Sequence, residues 1–295
     1  MRDCQDYNAL EASFSEALSP LYDRREARQL FSILLDHYLG WMRVDFALKR
    51  GQKPEGLLVE QVNFTAAQLL KNRPIQYILG CAHFCGLKLK VVEGVLIPRP
   101  ETEELVAKVL SEADGAARSV LDIGTGSGAI ALALCTARPD WTVMGIDVAE
   151  GALRCARENA EAQGLAVAFK HLDIRAVPRW RCLPEFDLLV SNPPYVQQAE
   201  KAEMEPRVLD YEPHLALFAP PGRPLHFYEV IADFALQKLK PTGSLYLEIN
   251  AYLARETLEL LHQKGFEVEL QRDLSGKDRF AIAKRPSLSS APGPS

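Results

Sequence analysis

The sequence predicts a doubly wound α/β sheet with an antiparallel last strand, preceded by a small helical domain and a β-hairpin linker. Three observations carry this prediction. From residue 118 short apolar runs alternate with helical ones, a glycine-rich turn leaves the first run, and the last two runs are joined by a connection too short for a parallel crossover. The 295-residue length suits one large domain or two smaller ones. A composition of 47% hydrophobic and 25% charged residues excludes a disordered, collagen-like or fibrous chain.

Residues 1–75 read as helical. Leu21 to Leu39 sets Leu30, Ile33, Leu34 and Tyr38, with the flanking Phe31, at helical spacing against Arg24, Arg25, Glu26 and Arg28. Asn63 to Lys71, with Ala66, Ala67, Leu69 and Leu70, predicts another helix. Residues 76–98 change character. Leu87-Lys88-Leu89-Lys90-Val91-Val92 alternates between glycines, so a β-hairpin linker is expected there. Pro100 with Glu101 and Glu103 suits a first helical turn.

The remainder, 99–285, is expected as one sheet domain. Strands are predicted at Ser119–Ile123, Trp141–Asp147, Val167–Leu172, Phe186–Ser191, Ser244–Ile249, Phe266–Gln271 and Phe280–Ala283. Helices are predicted at Ala129–Arg138, Ala149–Gln163, Leu225–Leu239 and Leu253–Lys264. The Ser/Pro-rich tail, 286–295, is expected to be disordered.

Charge and cysteine usage narrow the partners. Lys plus Arg is 34 and Asp plus Glu is 39, a formal charge of −5, which argues against gripping bare nucleic acid through its phosphates. No apolar run approaches the roughly 18 residues that span a bilayer, so no membrane partner is expected. Met1-Arg2-Asp3-Cys4-Gln5-Asp6 has no apolar signal core. The six cysteines form no CxxC pair and the six histidines no HxxxH pair, so no metal is expected. Free thiols in such a chain point to the cytoplasm. A monomer is expected.

Two constellations carry chemistry. Asp122-Ile123-Gly124-Thr125-Gly126-Ser127-Gly128 passes from a strand into a helix. Its glycines admit a ligand close to the backbone, and the helix N-terminus offers free N–H groups. Asp147 ends the next strand, nineteen residues after Gly128, where a carboxylate can accept from both ribose hydroxyls of a nucleoside. The GxGxG spacing resembles that of methyltransferases dependent on S-adenosyl-L-methionine, in which Asp173 and Ile174 would flank the adenine. The second constellation, Ser191-Asn192-Pro193-Pro194-Tyr195, follows a strand at its carboxyl end. The prolines stiffen the backbone and remove two donors. The Asn192 side-chain oxygen and the Pro193 carbonyl can each accept one N–H of a planar –NH2 group, and Tyr195 can pack on the amide plane. Holding both protons aims the nitrogen lone pair by position and electrostatics.

Together these residues resemble the NPPY-type amino-methyltransferases. Further stretches narrow the resemblance: Arg73-Pro74-Ile75-Gln76-Tyr77-Ile78-Leu79-Gly80, Phe84-Cys85-Gly86, Ile97-Pro98-Arg99-Pro100-Glu101-Thr102-Glu103, Tyr211-Glu212-Pro213, Phe227-Tyr228, Leu247-Glu248-Ile249 and Asp278-Arg279. These are similar to the HemK/PrmC family, the peptide chain release factor glutamine N5-methyltransferases. The resemblance implies a Rossmann-like class I methyltransferase fold behind a substrate-recognising N-terminal domain. It also implies S-adenosyl-L-methionine as cofactor and the glutamine of the Gly-Gly-Gln loop of class 1 release factors as substrate. Gly124, Thr125, Gly126, Ser127, Gly128, Asp147, Asp173, Ile174 and Asn192 would contact the cofactor. Asn192, Pro193, Pro194 and Tyr195 would bind the glutamine amide, with Asn192, Pro193 and Tyr195 catalytic. Three other readings compete: a ribosomal-protein glutamine methyltransferase, an adenine-N6 nucleic-acid methyltransferase, and a cofactor-binding pseudoenzyme. Arg99-Pro100-Glu101-Thr102 favours the release factor over the first, the acidic charge argues against the second, and the intact Asn192 against the third.

Overall fold

The computed structural model describes residues 4–112 and 116–285; the tail at 286–295 lies outside them. The chain opens with five helices, α1 (Tyr7–Leu18), α2 (Arg24–Leu39), α3 (Arg43–Lys49), α4 (Gly56–Leu69) and α5 (Ile75–Leu79). A hairpin of β1 (Cys81–Phe84) and β2 (Leu87–Lys90) follows, then α6 (Pro100–Glu112), β3 (Ser119–Ile123), α7 (Ala129–Ala137), β4 (Thr142–Asp147), α8 (Glu150–Gln163), β5 (Ala168–His171) and β6 (Phe186–Ser191). The rest comprises α9 (Pro206–Tyr211), α10 (His214–Leu217), α11 (His226–Lys238), β7 (Leu239–Glu248), α12 (Ala254–Gln263), β8 (Glu267–Arg272) and β9 (Asp278–Lys284). Two compact units divide the chain: residues 1–80 with 206–211, and residues 81–205 with 212–295.

In the first unit Leu10, Phe14 and Leu18 of α1, Phe31, Leu34 and Leu35 of α2, and Leu58, Val62, Ala66 and Leu69 of α4 share one core. Helix α2 starts three residues later than its apolar periodicity suggests. A capping box sets the start: the Asp23 carboxylate accepts from Glu26 N at 2.8 Å, and the Glu26 carboxylate accepts from Asp23 N at 3.3 Å. Helix α4 starts at Gly56, not at Asn63, because Leu58 and Val62 extend the buried stripe of Ala66 and Leu69 backwards by i, i+4 steps. Helix α5, Ile75–Leu79, runs past residue 75 into the segment expected as hairpin linker, and Gly80 ends it in the left-handed region at φ 70°.

The second unit holds a seven-stranded sheet of order β5-β4-β3-β6-β7-β9-β8. The β5-β4-β3-β6-β7 strands pair in parallel, while β9 pairs antiparallel with both β7 and β8. Successive side chains of the central strands point to opposite faces, and both faces are buried. Leu121, Leu189, Leu245, Leu247 and Ala281 pack on one face with Tyr228, Ile231 and Phe234 of α11 and Leu261 of α12. Val120, Leu188, Val190, Tyr246 and Phe280 pack on the other with Leu105 and Val109 of α6 and Leu132 of α7. The β1–β2 hairpin turns on Cys85 at φ 47° and Gly86 at φ 78°, both left-handed, as a two-residue primed turn requires. It is tied to α8, where the Asn159 carboxamide accepts from Lys90 N at 2.6 Å and donates to Lys90 O at 3.0 Å.

Gly145 marks the tightest approach near the cleft. A Cβ there would lie 2.7 Å from both Phe169 Cδ1 and Thr125 Oγ1. Gly145→Ala should therefore cost about 1–3 kcal/mol of stability through overpacking. Gly151→Ala, in α8 with nothing within 4 Å of the new Cβ, should be neutral or gain up to about 1 kcal/mol from helix propensity. Urea unfolding of the two variants checks the contrast.

Candidate active site

The strand order reverses between β3 and β6, whose connections leave in opposite directions. A crevice opens where their carboxyl ends part, as open α/β sheets provide for ligands. Residues of the glycine turn, the end of β4, the loop after β5 and the segment after β6 line one cleft, all within the second unit.

The glycine turn takes left-handed φ values at Gly124 (75°), Gly126 (57°) and Gly128 (84°), and at Gly124 and Gly126 a Cβ would meet nothing within 4 Å. Those two line the cleft together with Thr125 and Ser127, while Gly128 does not. Gly128 instead starts α7 under crowding: a Cβ would lie 3.2 Å from Ala156, Leu132 and Phe169 side-chain atoms. Beneath the turn Asp122 is fully buried. Its Oδ2 accepts from Thr125 Oγ1 at 2.6 Å and from Ala131 N at 3.2 Å, and its Oδ1 has no partner. Burial pushes this carboxyl up to about 7.

Asp147 lies across the turn. Its Oδ2 accepts from Gly126 N at 2.9 Å and its Oδ1 from Ala149 N at 2.8 Å. The carboxylate keeps acceptor capacity for an outside donor. Burial raises this carboxyl above its usual value, and the backbone N–H groups of Ala149, Gly126 and Val148, with the nearby His171, offset part of that rise. Asp173 and Ile174 form another wall. Trp180 Nε1 fixes the Ile174 carbonyl at 2.8 Å, and the Arg175 guanidinium, paired with Asp173 at 2.8–3.1 Å, lowers the Asp173 pKa.

Asn192, Pro193 and Pro194 line the same cleft. Asn192 Nδ2 donates to Thr102 Oγ1 at 3.0 Å, and Thr102 Oγ1 donates to Glu248 Oε2 at 2.7 Å. Tyr195 is placed differently from the expectation that it faces the amide plane. Its ring packs against the core under α11, its hydroxyl donates to Glu248 Oε1 at 2.9 Å, and it is not among the lining residues. The loop that carries Asn192 outward turns Tyr195 inward, where a buried carboxylate binds its hydroxyl.

Four further residues stand at this site that the sequence reading assigned neither to the cofactor nor to the amide. Thr102 and Glu248 stand behind Asn192, both buried. Arg99 and Glu212 form an ion pair, and Glu212 also accepts from Ile97 N at 3.2 Å, joining two cleft-wall segments. Each pair is more than a hundred residues apart in sequence, so no local spacing could reveal it. The only signal was the presence of these residues in the stretches that carry the family resemblance.

The donor set fits a nucleoside cofactor with a cationic sulfur. Asp147 has acceptor capacity for paired hydroxyls, glycine backbone lies open beside it, and the walls at Ile123, Ile130, Ile174 and Phe227 are apolar. Sheet order and site together define a class: a Rossmann-like methyltransferase dependent on S-adenosylmethionine. Comparison with known proteins agrees. Residues 101–209 match the family model described as the methyltransferase small domain. A solved methyltransferase from Pyrococcus furiosus shares the fold, with a TM-score of 0.50 at 19% identity over 75% of this chain and 98% of that one. The release factor glutamine methyltransferase of Flavobacterium psychrophilum is 41% identical over 272 residues, 90% of this chain and 95% of that one. That of Bacteroides thetaiotaomicron is 39% identical over 279 residues, 94% of this chain and all of that one. The chain belongs to the release factor glutamine methyltransferase family. Among the described residues no helix is long and apolar enough to cross a membrane.

Asp122 makes a stability prediction whose sign follows from its raised pKa. Between the unfolded value of 3.8 and the folded value of about 7 the native state holds a proton that the unfolded chain has lost. The stabilisation is fully present below 3.8 and disappears as pH rises through about 7. Asp122→Asn, neutral throughout, should therefore gain on the wild type in unfolding free energy between pH 5 and pH 8, as read by urea titrations at each pH.

Proposed function

We propose that this chain methylates the N5 side-chain amide nitrogen of the glutamine in the Gly-Gly-Gln loop of a class 1 peptide chain release factor, modulating translation termination. The observation that carries this reading is that Asn192 and Pro193 stand in one cleft with Gly124, Gly126 and Asp147. Amide acceptors and nucleoside holders thus face a common space. Asp147 holds the ribose, Gly124, Thr125, Gly126 and Ser127 supply open backbone, and Asp173 and Ile174 flank the adenine. S-adenosyl-L-methionine, when bound, supplies an electrophilic methyl group. Asn192 Oδ1 and the Pro193 carbonyl each accept one proton of the glutamine –NH2. With both protons held, the nitrogen lone pair has a fixed direction, and position rather than basicity drives attack. No base is needed beforehand, because the proton leaves once nitrogen carries its new methyl group. Pro194 keeps the corner rigid, and Tyr195 braces it from behind through Glu248.

Asn192→Ala should lower turnover about 10²- to 10³-fold while sparing cofactor affinity more than Asp147→Ala does, by analogy with the loss of one positioned hydrogen-bond donor. Asp147→Ala should do the reverse and weaken cofactor binding first. Calorimetry with the cofactor, together with transfer of labelled methyl to purified release factor and to its Gln→Ala variant, reads both halves. Label in the Gln→Ala factor, or equal cofactor loss in both enzyme variants, contradicts the assignment.

The first unit supplies the surface for the protein substrate. A groove there is lined by Arg24, Arg25 and Arg28 of α2 and by Arg43 and Phe46 of α3, with Trp41 and Met42 between them. Arg28 faces Glu11 at 3.6 Å, and Met42 is 73% exposed. A cationic groove with apolar walls suits an acidic, partly apolar face of the release factor. Replacing Arg24, Arg25 and Arg43 together by Glu should raise KM for the release factor at least about tenfold, as charge reversal at a complementary rim does, with cofactor affinity unchanged. Steady-state kinetics at two salt concentrations test this, since added salt should raise the wild-type KM more than the variant's. The cleft is built from one unit of one chain, which supports a monomeric catalyst, and the reaction belongs in the cytoplasm with its substrate.

A further inference from the structure

A carboxamide can occupy its site either way round, because its oxygen and its NH2 group have nearly the same shape. Only one orientation of Asn192 offers an acceptor to a substrate –NH2; the other sets NH2 against NH2. The deciding groups lie behind it. Glu248 and Thr102 are buried, at 1% and 5% exposure. Ionised Glu248 has no proton to give, so it accepts from Tyr195 at 2.9 Å and from Thr102 at 2.7 Å. The Thr102 hydroxyl has a single proton, and that proton is committed to Glu248. Toward Asn192, 3.0 Å away, Thr102 can only accept, so the group it meets must be the Asn192 NH2. No hydrogen bond from the described residues reaches Asn192 Oδ1, which is left for the cleft.

We infer that Glu248, acting through Thr102, is a positioning residue that fixes the polarity of the Asn192 carboxamide and so keeps its oxygen toward the substrate amide. This rests on the glutamine-amide reading above. The arrangement has a direction that protonation reverses. A neutral Glu248 donates its proton to Thr102, the Thr102 hydroxyl proton then turns toward Asn192, and the carboxamide rotates to accept it. The acceptor is withdrawn from the cleft and a donor takes its place. The only covalent change is the O–H bond formed when Glu248 takes a proton from solvent; the Thr102 and Asn192 steps exchange hydrogen bonds alone.

The groups around Glu248 define when this occurs. Thr102 and Glu101 face it from α6, Tyr195 from the loop after β6, Arg279 from β9 and Tyr228 from α11. Glu200 also acts on Tyr228, and the Arg279 guanidinium is anchored to Asp273 at 3.2 Å. Burial raises the Glu248 carboxyl above its usual value; Thr102, Tyr195 and Arg279 oppose that rise, and Glu101 adds to it. Turnover at saturating cofactor should therefore fall on the acid side through a Glu248 midpoint above the ordinary carboxylate range.

The test uses the full chain without substrate as well as in turnover. In protein carrying 15N-labelled asparagine, the Asn192 side-chain NH2 resonance, assigned by its loss in Asn192→Ala, should titrate with the midpoint of the acid limb of kcat. Glu248→Gln should flatten that titration, abolish the acid limb and lower kcat about tenfold to a hundredfold. Thr102→Val should do the same, and Thr102→Ser, which keeps the hydroxyl, should restore both readouts. Cofactor affinity within about twofold of wild type, or about 0.4 kcal/mol at 1.4 kcal/mol per tenfold, marks the variants as folded. A pH-independent Asn192 resonance in the wild type, an unchanged acid limb in Glu248→Gln, or failure of Thr102→Ser to restore either readout overturns the inference. Methyl transfer to release factor with a flat resonance removes this inference alone. A titrating resonance without transfer to glutamine removes the substrate reading and leaves the Glu248–Thr102 control of Asn192 standing.

Discussion

The molecule depends on the point where two neighbouring parallel strands, β3 and β6, send their chains to opposite sides of the sheet. Backbone pairing holds the strands together up to Ile123 and Ser191, where Ser191 Oγ still donates to Ile123 O at 2.7 Å. Beyond that bond the chains must part, because α7 packs on one face and the route toward α11 lies on the other. The gap sets a glycine turn beside a proline corner. These two segments need opposite backbone properties: one must adopt left-handed conformations and the other must be stiff. Strand order alone makes them neighbours.

Polar groups buried at this rim follow a common pattern. Asp122, Glu212, Glu248 and Asp273 are all buried carboxylates. Glu212 and Asp273 have arginine partners, Arg99 and Arg279. Asp122 is instead met by a hydroxyl and a backbone N–H, and Glu248 by two hydroxyls, and both are pushed toward the neutral form by burial. An ion pair locks a wall in place whatever the pH near neutrality. A carboxylate satisfied by hydroxyls leaves a proton position that can change. The Arg99–Glu212 pair joins the cleft walls, and the adjustable carboxyls sit beneath the glycine turn and behind Asn192.

Much of this was legible in the sequence, because it rests on local pattern. The short apolar runs at Ser119–Ile123 and Phe186–Ser191 match β3 and β6 residue for residue, and Gly164 stops α8 as a left-handed cap. Misplacements arose where tertiary contact overrides pattern. Strand β7 starts at Leu239 instead of Ser244, since Leu239 pairs with Phe186 across an irregularity that accommodates Pro241 and Gly243. Tyr195 belonged by motif with the amide acceptors, but a carboxylate 53 positions further along draws it inward. Thr102 and Glu248 lie 146 positions apart and share no periodicity, so only the fold brings them together.

Strand β9 lies between β7 and β8, both of which precede it in the chain. Until Asp278–Lys284 exists, those two earlier strands face a gap in the sheet, with their backbone donors and acceptors unpaired along it. The same segment brings Arg279 to the anchor at Asp273 and Phe280 into the core. A polypeptide halted short of residue 278 would thus lack both a closed sheet and the cation beside Glu248. One late-made strand closes the sheet and sets the positive charge beside Glu248 in the same step.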